Sequence, residues 1–190
     1  MNKLLYTVLI IIVFAASFFA QDFESGAFAA PVFKYTKFIG QSGLVAGVRV
    51  GWIINKKIVL GAGYYALSTD IKSSYTDPEN NKTVMMNLNY GGLEFEYLLL
   101  NDSKFNLTFD MFLGAGGTEF YIKDRSKNYV KSNLLVWEPG LNFEVKLLDW
   151  LHADAGISYR MSFDNYEFYN VTRNDLQGIN LLMTFKMGKY

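Results

Sequence analysis

Apolar residues occupy every second position along most of the chain after residue 20, and polar or small residues lie between them. A period of two indicates β-strands, because successive side chains of a strand point to opposite faces of the sheet. The stretch from residue 135 to 147 has the clearest alternation. Its apolar members are Leu135, Trp137, Pro139, Leu141, Phe143, Val145 and Leu147.

Turn-forming residues divide the alternating pattern into eight predicted strands. Their ranges are 26–38, 43–54, 57–69, 84–99, 105–122, 133–147, 151–163 and 177–190.

The connections between these strands differ in length, and the difference follows an order. Short connections at 55–57, 100–104 and 148–150 alternate with long polar ones at 68–83, 123–131 and 164–175. The first connection, 39–43, is also short and breaks the order. An even number of antiparallel strands with short turns at one end and long loops at the other is typical of bacterial outer-membrane barrels. The alternative is a soluble sandwich or barrel, where loop lengths need not sort by end.

The two faces of the predicted strands have different composition, and this indicates which face is outside. One face is continuously large and apolar, and the other mixes charges, amides and glycine. Eight strands enclose a lumen just wide enough for side chains, so the bulky face cannot fit inside. A continuous apolar band of that size has to contact lipid. We therefore predict that residues 21–190 form one domain, an all-β, eight-stranded antiparallel up-and-down transmembrane β-barrel.

The inward face then holds a dense set of ionisable side chains, which we expect to form a hydrogen-bonded ion-pair network because unpaired buried charges are costly. A closed lumen filled by this network is one interpretation, and a narrow pore for small solutes is the alternative. The members of the predicted lumen charge network are Arg49, Glu94, Glu96, Asp110, Glu138, Glu144, Asp154, Arg160 and Lys186, with Lys146 near the rim.

Aromatic residues near the strand ends predict the two girdles that such barrels place at the membrane interfaces. Trp52, Tyr97, Trp150 and Tyr190 fall near the short-turn end. Trp137, Tyr159, Phe38 and Phe163 fall near the long-loop end.

Two glycine pairs, Gly91–Gly92 and Gly116–Gly117, interrupt the strict alternation. Each pair predicts either a β-bulge or plain packing of small residues. A bulge at the second pair would turn Glu119 inward and leave Phe120 and Ile122 facing lipid.

The first twenty residues differ from the rest. Lys3 precedes an unbroken, mostly apolar run with small residues at its end, which predicts a signal peptide over residues 1–20, with cleavage after Ala20 or after Ser17. A membrane anchor is the alternative. The chain contains no cysteine, so an exported form gains no stability from disulfides.

The composition disfavours several other functions. Formal net charge is zero, with 18 basic and 18 acidic residues, so no nucleic-acid partner is expected. The chain has one histidine, His152, with Asp154 and Ser158 nearby in sequence but in no compact triad. We predict no catalytic, cofactor-binding or metal-binding residues, and a lipid-modifying enzyme is the least favoured class.

Several segments resemble a family of bacterial outer-membrane β-barrel proteins that has no established activity. They are "GVRVGWIINKKIVLGAGYYAL", "NYGGLEFEYLL", "FLGAGG", "WEPGLNFEV", "AGISYR" and "FKMGKY". The resemblance implies a porin-like fold in the outer membrane, with outer-membrane lipid and the barrel-assembly machinery as partners. Tyr190 is similar to the aromatic residue that this machinery recognises. Separately, the polar long loops predict binding of an unidentified surface ligand or a purely structural role.

Overall fold

Eight long strands close into an antiparallel barrel in the computed structural model, which describes residues 25–79, 81–102, 104–122, 128–163, 167–168 and 171–190. The strands in chain order are β1 (Ser25–Phe38), β2 (Gln41–Ile54), β3 (Ile58–Leu67), β4 (Ile71–Asp77), β5 (Lys82–Asn101), β6 (Phe105–Ile122), β7 (Asn128–Leu148), β8 (Leu151–Ser162), β9 (Glu167–Phe168), β10 (Val171–Thr172) and β11 (Gly178–Lys189). The wall runs β3-β2-β1-β11-β8-β7-β6-β5 and is closed by pairing of β3 with β5. The predicted eight-stranded barrel is confirmed. The predicted signal peptide lies outside the described residues.

Three short strands lie within the regions that the sequence predicted to be long loops. β4 pairs with β5 above the end of β3, and β9 pairs with β10. A 3₁₀ helix, Arg173–Leu176, leads from β10 toward β11. The connections at the long-loop end are therefore partly folded.

Two-residue turns join strands at both ends of the barrel. Asn55 and Lys56 have φ of 50° and 53°, and the Lys57 N–H donates to the Ile54 carbonyl at 3.1 Å. At the other end, Ile39 and Gly40 have φ of 51° and 72°. Positive φ at both central residues is the backbone of a type I′ turn, whose twist matches that of the flanking strands.

An apolar belt surrounds the part of the barrel next to the short turns, which we call the lower part. Along β6 its outward residues run from Phe105 to Ala115, the span that a tilted strand needs to cross a bilayer, about 9–11 residues. Phe143 is 49 % exposed on this face, whereas the neighbouring inward Glu144 is 3 % exposed. The bulky face thus points outward, as the composition of the two faces predicted.

Above the belt the polarity of the two faces is exchanged while the alternation of β6 and its register with β5 continue. In β6 the inward residues become Phe120 and Ile122, both buried, and Glu119 lies on the outer face. The hypothesis of a bulge that turns Glu119 inward is therefore wrong. Pairing runs unbroken through both glycine pairs. The physical reason is the medium, because a barrel wall that projects beyond lipid faces water outside and buries its apolar residues inside.

No helix within the described part of the chain is long and apolar enough to cross a membrane.

Candidate functional site

The lower lumen contains an ion cluster centred on Lys186. Its Nζ donates to Glu144 Oε2 at 2.6 Å and to Glu96 Oε1 at 2.7 Å, and it lies 2.9 Å from Asp154 Oδ2. Glu96 also accepts from Arg49 Nη2 at 2.8 Å, and Arg49 Nε lies 2.6 Å from Glu94 Oε2. We call these six residues, Arg49, Glu94, Glu96, Glu144, Asp154 and Lys186, the central ion cluster.

A second ion pair lies next to this cluster and involves a residue that the sequence analysis missed. Lys34 Nζ donates to Glu138 Oε1 at 2.8 Å and lies 3.7 Å from the centre of the Tyr65 ring. Glu138 also accepts from Ser158 Oγ at 2.6 Å and from the Tyr90 hydroxyl at 3.3 Å. Lys34 lies between the outward residues Phe33 and Tyr35, and this alternation is the signal that identifies it as inward.

Arg160 lies toward the outer end of the lumen and is fully buried. Its guanidinium donates to the Leu176 carbonyl at 2.8 Å and to Asn180 Oδ1 at 3.1 Å, and it lies 4.1 Å from the centre of the Phe38 ring. Arg160 therefore ties the 3₁₀ helix to the barrel wall.

An apolar cluster fills the lumen above the ion pairs. It combines inward residues of the wall with Val171 and Leu176 from the segment between β8 and β11. We call it the outer apolar cluster, and its buried members are Val32, Phe38, Val45, Tyr65, Ile71, Val84, Met86, Leu88, Tyr90, Phe112, Phe120, Ile122, Leu134, Val136, Val171 and Leu176.

The lumen is narrow between these layers. The cavity beside Lys34 and Arg49 has a volume of 20 Å³, little more than the roughly 10–15 Å³ that one water molecule requires. Inward glycines make room for the large side chains. A Cβ on Gly51 would lie 2.6 Å from the Phe28 ring, and one on Gly47 would lie 2.3 Å from the Tyr65 ring.

The nine residues of the predicted lumen charge network all lie on the inward face. Six of them form the central ion cluster, Glu138 pairs with Lys34, and Arg160 is separate. Asp110 accepts a hydrogen bond from the Asn142 amide. Lys146 lies at the rim, 2.8 Å from Asp149 in the turn that follows β7.

Five of the predicted interface aromatics are exposed on the outer surface and a sixth is half-buried there. Trp52, Tyr97 and Trp150 lie near the short turns, and Tyr159, Phe163 and the half-buried Trp137 lie toward the other end.

Tyr190 and Phe38 depart from the girdle prediction. Tyr190 follows β11 in phase with the inward residue Lys186 and stacks on His152 inside the mouth, with ring centres 3.6 Å apart. Phe38 is fully buried below the 3₁₀ helix, because the alternation of β1 turns it inward. Both rings are therefore removed from lipid.

His152 and Ser158, the residues considered for catalysis, have separate partners among the described residues. His152 Nδ1 lies 2.9 Å from Glu144 Oε1, whereas the Ser158 hydroxyl donates to Glu138. The arrangement serves the ion pairs and does not align a serine with a histidine.

A pocket of 260 Å³ opens at the short-turn mouth, below the central ion cluster. One wall is apolar and the other is polar, and Tyr190 lies between them. We call it the mouth pocket, and its lining residues are Phe28, Ile53, Lys56, Val59, Glu96, Leu98, Asp102, Asn106, Glu144, Lys146, His152, Lys186 and Tyr190.

Comparison with known proteins shows similarity in three dimensions. No family model and no curated protein matches the chain. Neisserial surface protein A is 11% identical with a TM-score of 0.60, over 86% of this chain and 96% of that one. The N-terminal β-barrel domain of Pseudomonas aeruginosa OprF is 9% identical with a TM-score of 0.55, over 85% of this chain and 96% of that one. The protein therefore has the fold of small eight-stranded bacterial outer-membrane barrels.

Proposed function

We propose that the protein is an integral outer-membrane barrel, exported by a signal peptide over residues 1–20, whose lumen does not conduct and whose role lies at the cell surface. The observation that carries this proposal is the filling of the lumen. Ion pairs occupy its lower part and the outer apolar cluster occupies its upper part. An ion would have to cross both layers, and an apolar layer without water is a barrier to charge.

The surface role rests on the part of the wall that projects beyond the apolar belt. There β4, β5, β6 and β7 form a sheet whose inner face packs in the outer apolar cluster. Its outer face carries polar residues such as Asn87, Asn89 and Asn133. A sheet with a packed core presents a fixed surface to a partner. Because this surface is already ordered, binding costs less conformational entropy.

The edge of this sheet also supports binding of a partner. Among the described residues, β4 pairs with no strand other than β5, so it is an edge strand of this sheet. The Lys72 N–H and carbonyl bond to the Gln41 side chain, and the Tyr75 N–H and carbonyl bond to the Ser73 hydroxyl. An extended segment of another protein can add to such an edge through main-chain hydrogen bonds. Outer-membrane lipid and the barrel-assembly machinery are the other partners that the proposal requires.

Conductance in planar bilayers tests the closed lumen. Refolded protein is expected to give no steady single-channel steps, because side chains fill both lumen layers. Steady steps in the wild type that change in size when Glu138 or Arg49 is neutralised would instead support a narrow pore for small solutes.

Cross-linking on intact cells tests the surface role. Asn87→Lys and Asn133→Lys change the outer face of the projecting sheet and leave the outer apolar cluster intact. Both are expected to change the set of extracellular proteins that cross-link to the barrel. Lys57→Glu, an exposed change at the opposite end, is the matched control and should leave that set as it is. An identical set for all four proteins would contradict a surface role of this sheet.

A further inference from the structure

The mouth pocket has the features of a binding site that faces away from the cell surface. It is closed above by the central ion cluster, so a molecule enters and leaves by the short-turn mouth alone. We propose that the mouth pocket binds a small uncharged molecule consisting of one planar aromatic ring. This proposal is independent of the surface role.

The planar shape follows from the stacking of rings in the pocket. Tyr190 lies between Phe28 and His152, with ring centres 6.2 Å and 3.6 Å away. The three rings are nearly parallel, with interplanar angles of 4° and 10°. The protein therefore contains a slot for a flat ring, and its own phenol occupies that slot.

His152 forms one side of the slot. It is 5 % exposed, and its Nδ1 lies 2.9 Å from the Glu144 carboxylate, which holds the imidazole in place. Among the described residues its Nε2 has no hydrogen-bond partner. The lone pair of Nε2 lies in the plane of the imidazole, so a ring stacked on the imidazole face does not bond to it, and stacking is the interaction that selects the ligand.

The charge and size of the lining limit the ligand further. Three lysines, Lys56, Lys146 and Lys186, face three acids, Glu96, Asp102 and Glu144, so the pocket favours neither sign of charge. The volume of 260 Å³ lies below the roughly 300–1,000 Å³ of pockets that hold drug-sized ligands. A single ring beside the apolar residues Ile53, Val59 and Leu98 satisfies both limits.

Tyr190 can leave the slot without disturbing the barrel. The last strand pairing of β11 is Lys189 with Ala27, so Tyr190 lies one residue beyond the strand. Rotation of its side chain opens the space between Phe28 and His152. Tyr190 is then a competitor that lowers the apparent affinity of the pocket.

His152 is the single histidine of the chain, so ¹⁵N-histidine labelling gives one reporter for the site. The refolded protein in lipid nanodiscs is titrated with 4-methylphenol, and the Nε2 resonance is followed by NMR. A saturable shift is expected. The saturated-ring control, 4-methylcyclohexanol, partitions into lipid in a similar way but cannot stack, and it is expected to give no saturable shift. Equal shifts with both compounds would overturn the assignment of an aromatic ligand.

Three variants separate the pocket from the surrounding lipid. Tyr190→Ala removes the competitor and should bind 4-methylphenol about tenfold more tightly. Leu98→Trp fills the pocket and should weaken binding by about tenfold or more, whereas Leu99→Trp, on the adjacent outward face, should change it less than about twofold. Heat-modifiable migration in detergent gels verifies that each variant is folded. Wild-type affinity in a folded Leu98→Trp variant, or no saturable shift in the wild type and Tyr190→Ala, would overturn the proposal.

Discussion

Lys34 and Glu138 illustrate how single residues stabilise the middle of the lumen. Both are buried, and their ion pair joins β1 to β7 across the interior at 2.8 Å. A buried ion pair gains little over an apolar pair of similar volume, but loss of one partner leaves an uncompensated charge. The contribution of these residues therefore depends on their being present together.

Lys34→Met is expected to lower the free energy of unfolding by about 3–5 kcal/mol, because Glu138 would lose its cation in a buried position. The double variant Lys34→Met/Glu138→Leu should recover a large part of that loss. Urea titration of the protein in phospholipid vesicles measures both. A double variant that is less stable than Lys34→Met would contradict this account of the pair.

The limited space inside the lumen is the second constraint on single residues. Gly51→Ala would place a Cβ 2.6 Å from the Phe28 ring and 2.7 Å from Val59, so one of these side chains has to move. The expected cost is about 1–3 kcal/mol, the usual range for overpacking. Gly178→Ala is the control, because its nearest neighbour would lie 3.7 Å away. The same urea titration should show little change for the control, and equal losses for the two variants would argue against a steric cause.

The sequence predicted the strands accurately where they face lipid and less accurately above the apolar belt. β6 and β8 agree with the predicted ranges to within a residue, because lipid outside and ion pairs inside impose a strict alternation. β4 was missed because its inward positions, Ile71, Ser73, Tyr75 and Asp77, alternate between apolar and polar residues and its outer face meets water. The alternation of β6 was followed correctly up to Ala115 and misinterpreted beyond it, where the outer medium changes.

The 3₁₀ helix depends on a contact that no local pattern shows. Arg160 Nε donates to the Leu176 carbonyl, and the Asp175 carbonyl accepts from the Ile39 N–H at 3.2 Å. These bonds connect the segment after β10 to both β8 and the β1–β2 turn. The outer apolar cluster is closed from above as a result.

Arg160→Met is expected to free this segment and to accelerate hydrogen exchange of the Ile39 amide by about tenfold, which corresponds to a loss of 1.4 kcal/mol. Arg173→Met is the matched control, because Arg173 is exposed on the same 3₁₀ helix, and within the described part of the chain its hydrogen bond to Ser162 uses its carbonyl and not its side chain. Hydrogen exchange measured by NMR distinguishes the variants. Unchanged protection of Ile39 in Arg160→Met would show that the segment is held by its apolar contacts instead.

At the scale of the whole molecule, the depth of an outward-facing residue in the membrane determines how much a charged substitution there costs. Leu141 lies in the middle of the belt on β7, and Leu148 lies at its lower border beside the turn that holds Trp150. Both are about half exposed on the outer face, so they differ mainly in depth.

Leu141→Arg is expected to cost about 2–4 kcal/mol and Leu148→Arg about 0–1 kcal/mol, because the penalty for a charge in hydrocarbon falls toward the interface. Urea titration in vesicles gives both values. Equal penalties at the two positions would contradict the position of the belt.

The sequence by itself determined the number of strands in the barrel wall, their order and, within the apolar belt, the direction of their faces. These follow from local alternation and from the narrow lumen of an eight-stranded barrel, which together exclude bulky rings from the lower interior. The inward positions of Arg49, Glu138 and Lys186 were predictable for the same reason.

Only the tertiary structure decided which inward residues meet and where the membrane ends. The partners Lys34 and Glu138 are 104 residues apart, so no local period relates them. Tyr190, Phe38 and Phe120 are aromatic residues that composition alone associates with lipid, yet closure of the barrel places them inside. Alternation specifies two faces of a strand, whereas the medium outside each level of the wall specifies which kind of side chain is stable there.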